Sequence, residues 1–167
     1  MTRAIDNEID LTHSRKLHHS AVLETPPAKP EEARLHFASR LAFETDIADL
    51  MVDLDKGNTD FVVIDTRSPT SFAQCHIPGA INLPKIDAKT TSDLSKDKVC
   101  VIYCWGTGCN GSSKGAMRLS ELGFRAKELM GGIEYWRKEG GAVEGTLGSD
   151  APMYYNHGGD TQAGKSR

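Results

Sequence analysis

The sequence predicts an α/β fold: a mostly parallel sheet with helices on both faces. Three observations predict it. Phe61-Val62-Val63-Ile64 and Val99-Cys100-Val101-Ile102 are short unbroken apolar runs, as expected of strands covered on both sides. Stretches of helical period separate such runs, and Gly or Pro punctuates most of the junctions. With 167 residues and 38% apolar content, the chain supports one compact core.

The elements follow in order. Residues 1–30 form a flexible polar arm that closes on the breaker-rich "ETPPAKP". Pro30, Glu31 and Glu32 suit a helix start, and Leu35, Ala38, Leu41 and Ala42 follow at helical spacing. Thr45 is placed to cap a second helix, in which Ile47, Leu50, Met51 and Leu54 recur at i, i+3, i+4 and i+7 until Gly57 stops it. The first strand, Phe61–Ile64, comes after both and ends at Asp65. A helical turn, "SPTSFAQ", leads to a second strand over residues 77–83, and the polar stretch 85–98 carries the chain to the third, Val99–Tyr103. Ala116, Leu119 and Leu122 mark a helix that Gly123 ends. Lys127–Met130 reads as a weaker strand, Gly131-Gly132 as a tight turn, and Ile133 with Trp136 as a last helix ending near Gly140. The domain therefore occupies residues 31–144 with a helical N-terminal extension, and 145–167 form a Gly-rich tail without period, which Met153, Tyr154 and Tyr155 alone are suited to pin.

A net charge of −3 with both signs interspersed excludes the basic stripe that a phosphate backbone requires, so nucleic acid is not an expected partner. No apolar run reaches the length of a signal h-region or a membrane span, so no membrane association is expected. Cys75, Cys100, Cys104 and Cys109 are too few and too unevenly placed for a secreted disulfide framework, and a reducing, cytoplasmic setting is expected. Their spacing does not match a zinc ribbon, so neither a metal nor another cofactor is expected.

Chemistry concentrates in "YCWGTGCNGS", residues 103–112. In a sheet of this kind ligands bind beyond the carboxyl ends of the strands, where Cys104 stands. A loop of small residues between strand and helix can turn consecutive N–H groups inward and form an anion-binding nest at the helix's positive end. Gly106, Gly108 and Gly111 permit such a path, and Asn110, Ser112 or Ser113 can cap the helix. A sulfur in that nest is favoured as thiolate, which makes Cys104 the candidate nucleophile rather than a small hydrophobe closing a strand. Cys100, inside the strand, reads as core.

"VIDTRSPTSFAQCHIPGAINLP" (63–84), "VIYC" (101–104) and "LMGGIEYWRKEG" (129–140) together resemble the rhodanese family over about residues 45–142. "HFASRLAFETDIADL" with "GCNG" further resembles its bacterial single-domain subgroup. The resemblance implies an open five-stranded sheet and a sulfurtransferase carrying a persulfide on Cys104. The sulfur would come from a small anionic donor such as thiosulfate and leave to a thiol or cyanide, with a protein acceptor as a further option. Backbone N–H groups of the loop Trp105, Gly106, Thr107, Gly108, Cys109 and Asn110 would hold the donor and the outer sulfur.

The chain departs from the pattern at the loop's end. Phosphatase relatives use Cys-x5-Arg, whereas Cys109 and Asn110 stand here and no arginine follows until Arg118. The clamp that phosphate recognition favours is absent, so phosphatase chemistry is disfavoured. Supporting roles fall to Asp65 and Arg67, as a network shaping the site, and to Lys114, which either adds positive potential behind the loop or is a solvated helix lysine. His76 orders its turn rather than acting as a base. Trp105 is either a wall over the sulfur or packing, and Trp136 is core. Cys109 either resolves an oxidised or sulfur-loaded Cys104 by bonding to it or points away and offers only its N–H. Two other functions remain open: a non-catalytic sulfur-carrier or protein-binding module, and a thiol redox sensor built on Cys104 and Cys109.

Overall fold

The structure, a computed structural model, describes residues 20–154. The chain divides into two compact units, Met1–Phe37 and Ala38–Arg167. In its described part the first unit holds a 3-10 turn, Ala21–Leu23, and the beginning of helix α1 (Pro30–Phe43), which buries none of its residues. Residues 1–19 of the expected arm and 155–167 of the expected tail lie outside the described residues.

The second unit is built on a five-stranded sheet of strands β1 (Glu44–Thr45), β2 (Phe61–Asp65), β3 (Ile81–Asn82), β4 (Val99–Tyr103) and β5 (Arg125–Leu129) in the order β1-β5-β4-β2-β3. Every pairing is parallel, with Ile64 opposite Ile102 and Cys100 opposite Ala126. Parallel strands need crossover connections. Four helices take part: α2 (Ile47–Asp55), α3 (Pro69–Gln74), α4 (Gly111–Glu121) and α5 (Gly132–Lys138).

Strand alternation divides the core in two. Val63, Val101 and Tyr103 meet Ile47 and Leu50 of α2, Ile77, and Ile133 and Trp136 of α5 on one face. Ile64, Cys100 and Ile102 meet Leu119 of α4 and Phe124 on the other, where Leu83, Ile86 and Leu94 complete the cover. Residues 85–98 thus close this face with turns instead of a helix.

Several boundaries differ from the sequence expectation. Thr45 belongs to β1, and Asp46 caps α2 by accepting from the Asp49 N–H at 2.8 Å. The strand expected over 77–83 shrinks to Ile81–Asn82, because the Ala80 N–H turns back onto the Ile77 carbonyl across Gly79, whose φ is +72°. The tail expected from residue 145 is tied down as far as Pro152. Thr146 and Leu147 donate to the carbonyls of Ala73 and Gln74, Ala151 is buried, and the Arg137 guanidinium donates to the carbonyls of Ser149, Ala151 and Pro152. Backbone carbonyls carry this docking, so no apolar period betrays it.

Candidate active site

All strands run the same way, so the ends of β2, β4 and β5 gather at one edge of the sheet. A cleft of about 850 Å³ opens there, lined by Thr66 and Arg67 after β2, by 104–110 after β4, and by Glu128–Gly132. Cys104 leaves β4 at its floor, 5% exposed. Gly131 and Gly132 take φ of +85° and +57°, and α5 then spends its Ile133 and Glu134 N–H groups on the carbonyls of Cys104 and Trp105, at 3.1 and 2.9 Å. A Cβ on Gly132 would stand 2.6 Å from the Cys104 carbonyl oxygen, so only glycine allows that approach.

The sulfur itself departs from expectation. Burial pushes the Cys104 thiol up to about 11, and a hydrogen bond with the Cys109 thiol adds to the rise; the Trp105 N–H and the Thr66 hydroxyl act in the opposite direction without offsetting it. These causes favour the thiol over the thiolate that the loop's glycines predict. Part of the reason lies in the backbone. The Cys109 N–H donates to the Gly106 carbonyl at 2.9 Å and the Gly111 N–H to Cys109 Sγ at 3.4 Å, so two of the loop's donors are spent away from Cys104. Among the described residues, no hydrogen bond takes up the N–H groups of Gly106, Thr107, Gly108 and Asn110, four residues that line the cleft. Cys75 and Cys100 are fully internal, and burial raises both thiols.

Asp65 and Arg67 form a buried ion pair beneath the loop, with Nη2 to Oδ2 at 2.6 Å, Nε to both oxygens at 3.1 Å and the Arg67 backbone N–H to Oδ1 at 2.8 Å. Arg67 also donates to the Cys75 carbonyl and places its guanidinium 4.8 Å from the centroid of the Trp105 ring. Its charge is committed inside the protein although it lines the cleft. Trp105 stands beside the sulfur as a half-buried part of the wall. Lys114 does not line this cleft; it borders an adjoining hollow of about 220 Å³, which shares Thr66 and Pro84 with the cleft. His76 stacks on Phe72, with Nδ1 2.8 Å from the Phe72 carbonyl oxygen, and takes no part in the cleft.

Glu128 was not singled out by the sequence. Its carboxylate lines the cleft and accepts from the hydroxyls of Ser112, at 2.6 Å, and Ser113, at 2.9 Å. Those serines, with Asn110, were the alternatives for capping α4. Asn110 occupies the cap position, without a side-chain bond, and both serine hydroxyls reach across to β5. The legible signal was an acidic residue near the carboxyl end of a strand bordering the site.

The family model for the rhodanese-like domain matches residues 46–139. The chain belongs to the rhodanese-like domain family. A protein from Bacillus halodurans, known from its crystal structure, is 51% identical with a TM-score of 0.76 over 77% of this chain and 96% of that one. A sulfurtransferase of Allochromatium vinosum is 35% identical over 48% of this chain and 76% of its own length. A probable molybdopterin-synthase adenylyltransferase of Porphyra purpurea is 27% identical over 72% of this chain, which spans 32% of that protein. This rhodanese-like chain thus has sulfurtransferases among its relatives, and the five-stranded parallel sheet is the fold that the resemblance implied.

Proposed function

We propose that this rhodanese-like protein is a sulfurtransferase in which Cys104 is the sulfur carrier. The observation that supports the reading is the position of Cys104: its thiol lies in an open cleft at the strand ends, shared with four loop residues whose N–H groups the protein leaves unused. Cys104 Sγ, as thiolate, attacks the sulfane sulfur of a donor such as thiosulfate. The new S–S bond forms as the donor's S–S bond breaks, sulfite departs with the electron pair, and Cys104 is left as a persulfide. A thiolate or cyanide then takes the outer sulfur and returns Cys104 to thiolate. The loop N–H groups meet the charge on the departing sulfite and on the outer sulfur.

The test is thiocyanate production from thiosulfate and cyanide at mildly alkaline pH, with intact-mass detection of one added sulfur on the peptide holding Cys104. Cys104→Ser is expected to fall to the uncatalysed rate and to gain no sulfur. Equal rates for the two proteins would defeat the reading.

A second reading, a sulfur carrier docking one partner protein, is favoured by the charge of the cleft. Arg67 is neutralised by Asp65, Lys114 does not line the cleft, and Glu128 adds a carboxylate, so a free dianion meets little fixed positive charge. That reading expects negligible thiocyanate but a persulfide that transfers to a protein thiol.

A further inference from the structure

Cys109 is a second nucleophile in the same cleft, and the transfer from donor to acceptor leaves it unused. Its placement is specific. The loop folds back through the bond from the Cys109 N–H to the Gly106 carbonyl, and this turn brings residue 109 over Cys104. Both sulfurs then crowd the Cα of Gly111. A Cβ there would stand 2.7 Å from Cys104 Sγ and 3.3 Å from Cys109 Sγ, and the two thiols share a hydrogen bond. The Gly111 N–H, the first of α4, points at Cys109 Sγ from 3.4 Å and fixes where that sulfur stands. Cys109 is half-buried where Cys104 is buried, so the pair spans the depth of the cleft from floor to solvent. A Cβ on Gly108, between the two cysteines, would meet nothing within 4 Å, so no side chain packs against the loop at that point.

We propose that Cys109 discharges the Cys104 persulfide within the loop and releases its outer sulfur as sulfide. The proposal rests on the persulfide reading of Cys104. The Cys109 thiolate attacks Cys104 Sγ, the inner sulfur. A Sγ–Sγ bond forms, the bond from Cys104 Sγ to the outer sulfur breaks, and the outer sulfur leaves with the electron pair as HS⁻. The proton of the Cys109 thiol completes hydrogen sulfide. The two electrons that reduce the sulfane sulfur come from the two cysteines, which end as a disulfide. A dithiol reductant then restores both thiols by exchange and is itself oxidised to its disulfide. With such a dithiol supplied, the chain converts sulfane sulfur to sulfide, a second outcome for the same persulfide.

The experiment uses the full chain, reduced and freed of thiols, and treated with benzenethiosulfonate, a monoanionic sulfane donor whose sulfinate product does not reduce disulfides. Wild type is expected to release about one sulfide per chain and to become lighter by the two thiol hydrogens, with a peptide linked through Cys104 and Cys109. Cys109→Ala is expected to keep the added sulfur on Cys104 and to release about tenfold less sulfide. A wild-type persulfide that persists as long as the variant's, with no linked peptide, overturns the proposal and leaves the sulfurtransferase reading standing. No added sulfur in either protein and no linked peptide overturns both.

Discussion

At the scale of single residues, the most consequential quantity is the ionisation of Cys104. A cysteine thiol ordinarily titrates near about 8.5, whereas burial and the neighbouring Cys109 thiol hold this one up to about 11. Below its own value, the thiolate population of such a group grows about tenfold for each unit of pH. Iodoacetamide labelling of the Cys104 peptide should therefore climb steadily from about pH 7 to about pH 10 without a plateau. A plateau near about pH 8 would show that the loop already holds a thiolate. The sign for stability follows from the same shift. The folded state favours the protonated thiol, so its contribution is complete below the ordinary thiol value and is lost as pH rises toward about 11. An anionic donor that brings the loop's unused N–H groups to bear on the reacting sulfur would move this balance toward thiolate, which the empty loop does not do by itself.

At the scale of elements, the site depends on how closely α5 approaches the end of β4. The glycine pair makes that approach, and the two positive φ values alone would not distinguish a turn from a contact. Gly140 provides the comparison, since it also has a positive φ, +86°, with nothing within 4 Å of where a Cβ would stand. Gly140→Ala should cost about 1–2 kcal/mol, the left-handed backbone penalty alone. Gly132→Ala adds a collision with the Cys104 carbonyl, so a loss of about 2–4 kcal/mol is expected, together with slower sulfur loading. Urea denaturation of the two variants checks this; equal losses would mean that the approach is not tight. The sequence makes much of this frame legible, because β2 and β4 are covered on both faces and so read as continuous apolar runs, while α2 and α4 carry clear periods. Strand β1 has two residues, both polar in their sequence context, and offers no pattern to read. The same limit applies within the site. Cys104 and its glycines announce themselves through local spacing, but Glu128 joins them only through the register that sets β5 beside β4, where Glu128 stands opposite Ile102. The upward shift of Cys104 was illegible for a related reason: it depends first on how deeply the folded chain buries that sulfur and then on where the Cys109 thiol points.

At the scale of the whole second unit, three separated chain segments meet at the cleft, and the ion pair of Asp65 and Arg67, within the segment that follows β2, anchors a network that reaches the end of β4. Asp65 ends β2 and is fully buried, and the Tyr103 hydroxyl at the end of β4 hydrogen-bonds to its carboxylate. The same Tyr103 hydroxyl accepts from the Ile77 N–H at 3.2 Å, and Arg67 reaches the Cys75 carbonyl, so the segment after α3 is drawn into the network. Asn82 of β3 ties in the sheet's far edge by donating to the carbonyls of Asp65 and Arg67, at 3.1 and 2.9 Å. Removing one partner of a buried pair costs more than the pair contributes, because the remaining charge stays in the interior without its counterion. Arg67→Ala is accordingly expected to lose about 3–5 kcal/mol in urea denaturation. Lost packing alone would predict a similar deficit, so the decisive comparison is with the double variant Asp65→Asn, Arg67→Ala. If the stranded carboxylate is the cause, neutralising it recovers part of the loss; if the double variant is as unstable as the single one, or worse, the guanidinium acts by filling space and by its bond to the Cys75 carbonyl, and the ion pair itself contributes nothing.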